Sequence, residues 1–245
     1  MVTKIFNTLN SDKPKIAPEE LEDDPEFLQA EVANNATLVN MEPADGEWSS
    51  FPEIHKKTKE ILIAKGYANL FPIQQHSFYP VYTREDLIAR DLTGSGKTFA
   101  FGLPTVEYLR RHKLLGTRKV QAIILAPTRE LALQVTAEMT KLKHYENEFK
   151  IVTVYGGVNI DEQIRQLRQG VDIFVGTTGR VLDHIERGNI DFSGLKSLIL
   201  DEADQMLKLG FKEDVDRILK TIRDVVPPQA LQICLFSATI PSWVK

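Results

Sequence analysis

The chain holds 245 residues, 42% of them hydrophobic and 26% charged, with a net charge of −4. At roughly 100–200 residues per domain this is one large domain, or one domain with a tail, and the composition is that of an ordinary globule with a core to bury. The lone cysteine, Cys234, excludes an intramolecular disulfide framework, no apolar run approaches the ~18 residues that span a bilayer, and the opening MVTKIFNTLNSDKPK lacks the apolar stretch of a secretory signal. The expectation is an intracellular chain with no membrane segment.

Charge is unevenly distributed. Residues 1–45 hold ten acids against three bases, a charge of −7, whereas residues 46–245 carry +3. The acidic stretch reads as a disordered tail, because its scattered apolar residues cannot offset the entropy of ordering it. From Pro52 the pattern changes, and PEIHKKTKEILIAKG predicts a helix stopped by Gly66. Short apolar runs then alternate with longer amphipathic stretches. The runs are DLIA (86–89), VQAIILA (120–126), KIVTVY (150–155), VDIFVG (171–176), SLIL (197–200) and LQICLF (231–236). The stretches between them include FAFGLPTVEYLRRH, RELALQVTAEMTKLKHY, DEQIRQLRQ, GRVLDHIERG and EDVDRILKTIRDV. Strands apolar on both faces, alternating with helices, predict an α/β fold: a parallel sheet covered on both sides.

In such a sheet, ligands bind beyond the carboxyl ends of the strands. The residues least explained by packing fall at those ends. TGSGKT follows the first run, PTRE the second, GG (156–157) the third, TTGR the fourth, DEAD the fifth and SAT the sixth. Thr93, Gly94, Ser95, Gly96, Lys97 and Thr98 can wrap a phosphate chain. The glycines turn backbone N–H groups inward, the next helix offers its positive end, Lys97 reaches terminal phosphates and the Thr98 hydroxyl holds Mg²⁺. In LILDEAD, Asp201 sets a carboxylate beside that loop to hold Mg²⁺ directly or through water. Glu202 is placed to orient and deprotonate an attacking water. Asp91 stands where the strict phosphate-loop pattern has a small residue, and a carboxylate there opposes a polyphosphate unless Arg90 or another base pairs with it.

With GKT, PTREL, DEAD and SAT in that order, residues 47–245 resemble the first RecA-like domain of a DEAD-box RNA helicase. The LFPIQ, VY, DLIA and GKTFAF runs are most similar to the nucleolar RNA helicase II (Gu) subgroup. The resemblance implies ATP as the nucleotide, with Gln74 reading adenine and Phe71 beside it, and an upstream aromatic packed on the base. Trp48 sits nearest that spacing and Phe51 is the alternative; either also reads as a core anchor. It further implies that Pro127, Thr128, Arg129, Gly156, Gly157, Thr177, Gly179 and Arg180 grip the RNA backbone without sequence preference, and that Ser237 and Thr239 hydrogen-bond toward Asp204 to couple nucleotide to RNA. Leu70-Phe71 in place of Pro-Thr and Thr178 in place of Pro depart from the family pattern.

The chain stops at PSWVK, before the family's second RecA-like domain and its arginine finger. The expectation is therefore a monomeric fragment, partnered in the full-length protein by that second domain, that binds nucleotide and hydrolyses it poorly. Its location is read as nuclear or nucleolar from the subgroup, with the cytoplasm as alternative. Two other readings remain at this stage: a catalytically weak ATP-binding scaffold, and a phosphate-loop ATPase of another kind.

Overall fold

A computed structural model of the chain describes residues 46–90 and 96–239. The acidic tail (1–45), Asp91 and the phosphate-loop residues Thr93, Gly94 and Ser95 lie outside the described residues. The elements run α1 (Lys56–Ala64), α2 (Pro72–Tyr82), β1 (Leu87–Arg90), α3 (Lys97–Arg111), β2 (Ala122–Ala126), α4 (Arg129–Thr140), β3 (Ile151–Val154), α5 (Ile160–Arg168), β4 (Ile173–Thr177), α6 (Thr178–Glu186), β5 (Ser197–Leu200), α7 (Ala203–Lys208), α8 (Lys212–Val225) and β6 (Gln232–Ser237). Each of the six expected runs is a strand.

All strand pairs are parallel, in the order β1-β6-β5-β2-β4-β3. The central strands are apolar on both faces because both faces are covered. Ile124, Ile173, Val175, Ile199, Cys234 and Phe236 join one core with residues of α2, α3 and α4. Ile123, Leu125, Phe174, Leu198, Leu200 and Leu235 join the other with residues of α6 and α8. Cys234 is fully buried, and that burial raises its thiol pKa far above the ordinary range. It packs as a small hydrophobe.

Helices α3 and α4 touch so closely that a Cβ on Gly102 would lie 2.3 Å from the Met139 sulfur, so a side chain there would have to displace the methionine. Two helices escape the periodicity reading. PIQQHSFYPVY mixes polar residues into both faces and carries two prolines; Pro72 starts α2, where its missing N–H costs nothing. Helix α7 has six residues, too few to display a period.

A buried ionic knot fixes the far end of α3. Arg110 donates to Glu107 at 2.6 Å, to Glu148 at 2.8 and 3.2 Å, and to the Leu142 carbonyl at 2.9 Å. Thr58 of α1 donates to Glu107 at 2.5 Å and accepts from His144 at 2.8 Å, so α1, α3 and the 142–148 loop share one network. Removing one partner of a buried pair strands the other charges in a low dielectric, at about 3–5 kcal/mol. Arg110→Met is expected to lower the urea-unfolding free energy by about that amount, with an unchanged m-value. Burial, followed by the Arg110 charge, lowers the His144 pKa to about 4, with His55 and Lys57 adding to the effect and Glu148 opposing it. The unfolded chain therefore binds the proton first as pH falls below ~6.5, and stability declines between there and pH ~4. Glu148, held low by Arg110 and the His144 N–H against its own burial, adds a loss of the same sign at lower pH. Thermal unfolding followed by circular dichroism should show the midpoint several degrees lower at pH 5 than at pH 7.5. His144→Gln should shrink that difference.

Candidate functional site: a cavity with buried charge and an adjoining edge of helix starts

Parallel pairing brings every strand's carboxyl end to one edge, and the strand order sorts the candidate residues along it. Lys97 follows β1, Ser237 ends β6, and Asp201 and Glu202 follow β5, so these occupy three neighbouring strand ends. Pro127, Thr128 and Arg129 follow β2, Thr177 ends β4, and Gly156 and Gly157 follow β3, which are the other three.

On the first half lies a cavity of about 480 Å³, within the range of small-ligand sites. Phe71, Gln74, Gly96, Lys97, Thr98, Asp201 and Glu202 all line it. Gly96 has φ +87°, and a Cβ there would come within 2.4 Å of Gln74 Nε2 and 3.0 Å of the Phe71 ring. Any side chain there is strained by the backbone and would have to push these two residues aside. Gln74 is buried, accepts from the Phe71 N–H at 2.9 Å and donates to the Gly96 carbonyl at 3.1 Å. Its amide thus joins the start of α2 to the start of α3.

Lys97 Nζ lies 3.0 Å from Glu202 Oε1, with both side chains at least nine-tenths buried. Glu202 has φ +51° and ψ +49°, a left-handed backbone that costs a non-glycine residue on the order of 1–3 kcal/mol and is found chiefly at functional turns. Burial, then the neighbouring Glu202 charge, raises Asp201 to about 7, with Lys97 pulling the other way. Asp201 Oδ1 and Glu202 Oε2 are buried acceptors with no hydrogen-bond partner among the described residues. A hard cation beside a carboxylate and the Thr98 hydroxyl suits Mg²⁺, which is held by one or two carboxylates plus substrate phosphates. Among the described residues no group of three or more His, Cys, Asp or Glu forms a protein-only metal cage.

The upstream aromatics do not reach the cavity. Trp48 is 8% exposed, donates its indole N–H to the Tyr67 carbonyl at 3.2 Å and joins the core. Phe51 packs edge-on to Phe78 at 5.3 Å and stacks on Tyr79 at 6.0 Å. Burial of their apolar surface gives both rings the core-anchor role. Phe71, 53% exposed, is the aromatic on the cavity wall. Tyr67, Gln134 and Glu138 also line the cavity, although no motif singles them out.

On the second half the groups suit phosphate. Thr128 caps α4, its hydroxyl accepting the Leu131 N–H at 3.3 Å. Arg129 is exposed and its guanidinium lies 4.5 Å from the Tyr155 ring centroid. Pro127 is buried, while Gly156, Gly157 and Gly179 are exposed. Thr177 and Gly179 lie at the start of α6, beside the start of α4, so two positive helix ends face the same edge. Arg180 has a side chain only 14% exposed and donates to the Val158 carbonyl at 3.2 Å and to Gln163 Oε1 at 3.1 Å. It is held by the protein rather than reaching into solvent.

Within the first half, at the ends of β6 and β5, Ser237 Oγ accepts the Asp204 N–H at 3.2 Å and donates to the Thr239 carbonyl at 2.6 Å. Thr239 Oγ1 donates to Asp204 Oδ2 at 2.9 Å. Burial raises the Asp204 pKa, but the adjoining Ser237 hydroxyl and the hydrogen bond from Thr239 outweigh it and hold the carboxyl below its ordinary value.

A family described as DEAD/DEAH box helicase matches residues 71–245. Human ATP-dependent RNA helicase DDX50 is 42% identical over 208 residues, covering 84% of this chain and 28% of that protein. Nucleolar RNA helicase 2-B of Xenopus laevis is 39% identical over 221 residues, 89% of this chain and 27% of its own length. The chain thus spans between a quarter and a third of these relatives. The solved structure of a DEAD box protein from the hyperthermophile Methanococcus jannaschii superposes with a TM-score of 0.72 at 37% identity, over 81% of this chain and 51% of that one. The parallel sheet between two helical layers is therefore RecA-like, and the chain belongs to the DEAD/DEAH box helicase family.

Proposed function

We propose that residues 46–245 form the ATP-binding domain of an ATP-dependent RNA helicase, which hydrolyses ATP to ADP and phosphate under RNA stimulation. Turnover would be coupled to local RNA unwinding or remodelling of RNA–protein complexes. The observation that carries this reading is the sorting of one sheet edge into a cavity with a buried lysine and two carboxylates and, beside it, two helix starts and an exposed glycine turn. Lys97 receives the terminal phosphates, and Glu202 orients the attacking water and takes its proton. Thr98 and Asp201 hold Mg²⁺, which when bound neutralises charge on the phosphates. Gln74 reads the adenine edge with Phe71 as the wall beside it, and the loop residues Thr93, Gly94, Ser95 and Gly96 wrap the phosphates. Pro127, Thr128, Arg129, Gly156, Gly157, Thr177, Gly179 and Arg180 form the RNA-backbone face, which reads shape and charge rather than bases. Asp204, Ser237 and Thr239 link the two.

The active protein requires a second RecA-like domain to supply an arginine finger, so this chain alone binds ATP and turns it over slowly. Relatives named for the nucleolus support a nuclear or nucleolar location. The deciding experiment is ATP hydrolysis by the protein joined to its second domain, with single-stranded RNA, with DNA and with neither. Stimulation by RNA alone is expected; equal rates in all three would overturn the reading.

In that protein Glu202→Gln removes the base and keeps the shape. Turnover should fall by about 10²–10⁴-fold with ATP affinity nearly unchanged. Lys97→Ala removes a charge-assisted contact and leaves Glu202 without the lysine, so nucleotide affinity itself should fall about ten- to a hundredfold. A fluorescent-nucleotide titration of both variants separates the roles, and equal binding losses contradict the division.

The unsubstituted chain should bind ATP in preference to GTP. Gln74→Ala should erode that preference by roughly tenfold or more, since one amide matched to a base edge discriminates by about 1–3 kcal/mol. Competition titrations with the two nucleotides measure it.

A further inference from the structure

Gln163, on α5, belongs to none of the motifs above, yet the residue is only 5% exposed and its amide is bonded through both oxygen and nitrogen. Its Nε2 donates to the Tyr155 carbonyl at 3.1 Å. Its Oε1 accepts from Arg180 Nη1 at 3.1 Å and lies 3.0 Å from His184 Nε2. His184 Nδ1 faces the Asn189 amide at 3.2 Å, an arrangement that puts the imidazole proton on Nε2, donating to Gln163. Burial, then the Arg180 charge, lowers the His184 pKa to about 4, which keeps that neutral form at working pH.

These contacts close a ring around the glycine turn. Arg180 Nη1 also donates to the Val158 carbonyl at 3.2 Å. Gly156 and Gly157 therefore lie between two carbonyls, Tyr155 and Val158, one held by Gln163 and the other by the arginine that Gln163 itself holds. Gly157 has φ +81°, and a Cβ on either glycine would meet nothing within 4 Å, so the turn's own packing does not fix it. The Tyr155 ring, one residue before the turn, carries the Arg129 guanidinium at 4.5 Å. A single buried amide thus ties together the segments after β3 and β4, and the Tyr155 ring carries the link on to Arg129 after β2.

We propose that Gln163 is a positioning residue for the RNA-backbone face, setting the spacing between the Gly156–Gly157 turn, Arg129 and the first turn of α6. Resting on the RNA reading above, it acts through Arg180 and the Tyr155 carbonyl and touches no nucleotide itself. Rigid spacing matters here because successive phosphates along a strand are regularly spaced, and donors held at matching positions bind without a further ordering cost.

The test uses this chain and a fluorescein-labelled oligouridylate at low ionic strength, where backbone contacts dominate. Anisotropy gives RNA affinity, and a fluorescent ADP analogue gives nucleotide affinity. Gln163→Met keeps the volume and removes the hydrogen bonds; RNA affinity should fall about tenfold, corresponding to about 1.4 kcal/mol, with nucleotide affinity within about twofold. Arg180→Met should weaken RNA binding similarly, and adding Gln163→Met to it should cost less than about twofold more, because both act through one ring. If Gln163→Met is too unstable to measure, Gln163→Met/His184→Leu also removes the donor left facing it and is read the same way. Additive losses, an equal loss of nucleotide affinity, or unchanged RNA affinity in Gln163→Met while Arg129→Ala weakens binding would each overturn the positioning role and leave the RNA reading standing. Failure of the unsubstituted chain to bind, or indifference to Arg129→Ala, would overturn the RNA reading and the role of Gln163 with it.

Discussion

Parallel pairing obliges each strand to be followed by a crossover that carries the chain back to where the next strand starts. All six carboxyl ends therefore share one edge, and any side chain placed just after a strand arrives there. Strand order does the rest. The chain visits β1, then β2, β3 and β4, and only afterwards fills the gap with β5 and β6. This return sets DEAD and SAT beside the start of α3, although more than a hundred residues separate them in sequence, and leaves the other three strand ends as a contiguous neighbour.

Such an edge is a dry place to hold charge. Lys97 and Glu202 are nearly removed from water, and pairing at 3.0 Å is what makes their burial tolerable. Asp201 has no such partner and shows the consequence in a pKa raised to about 7. The scaffold tolerates a second set of buried ions far from this edge, where Arg110 holds Glu107 and Glu148. The two sets differ in one respect. Arg110 has its fork filled by carboxylates and a carbonyl, whereas the acids after β5 keep buried oxygens without a hydrogen-bond partner. Satisfied charge locks α1, α3 and the 142–148 loop together; unsatisfied charge marks a place for a ligand.

The strands were legible because burial on both faces leaves unbroken apolar runs, and the edge residues were legible because packing does not call for Lys, Asp, Glu or Arg at strand ends. Helix α2 was not, since prolines and mixed polarity erase its period, and its start depends on Gln74 bonding to the Phe71 N–H. Spacing along the chain offered Trp48 or Phe51 as the upstream aromatic and carries no information on which rings the core absorbs; here it absorbs both. The confinement of Arg180 and the hub at Gln163 are likewise tertiary. A glutamine in an amphipathic helix looks the same in sequence whether it faces water or, as here, two strand ends and a histidine.

Glu202 is the point where the two halves of the edge share atoms. It pairs with Lys97 and is also the residue from which α7 springs, in a left-handed conformation that the surrounding structure must hold in place. One residue before it, the Asp201 N–H donates to the Leu125 carbonyl of β2, two residues ahead of Pro127. Two residues after it, Asp204 is gripped by Ser237 and Thr239. A change in what Glu202 touches therefore acts on a short helix and two strand ends at once, through bonds of about 3 Å. Coupling between distant sites needs a shared element able to take more than one arrangement. The left-handed turn of a single non-glycine residue, loaded with charge and bonded on both sides, is the element that the cavity and the start of α7 share.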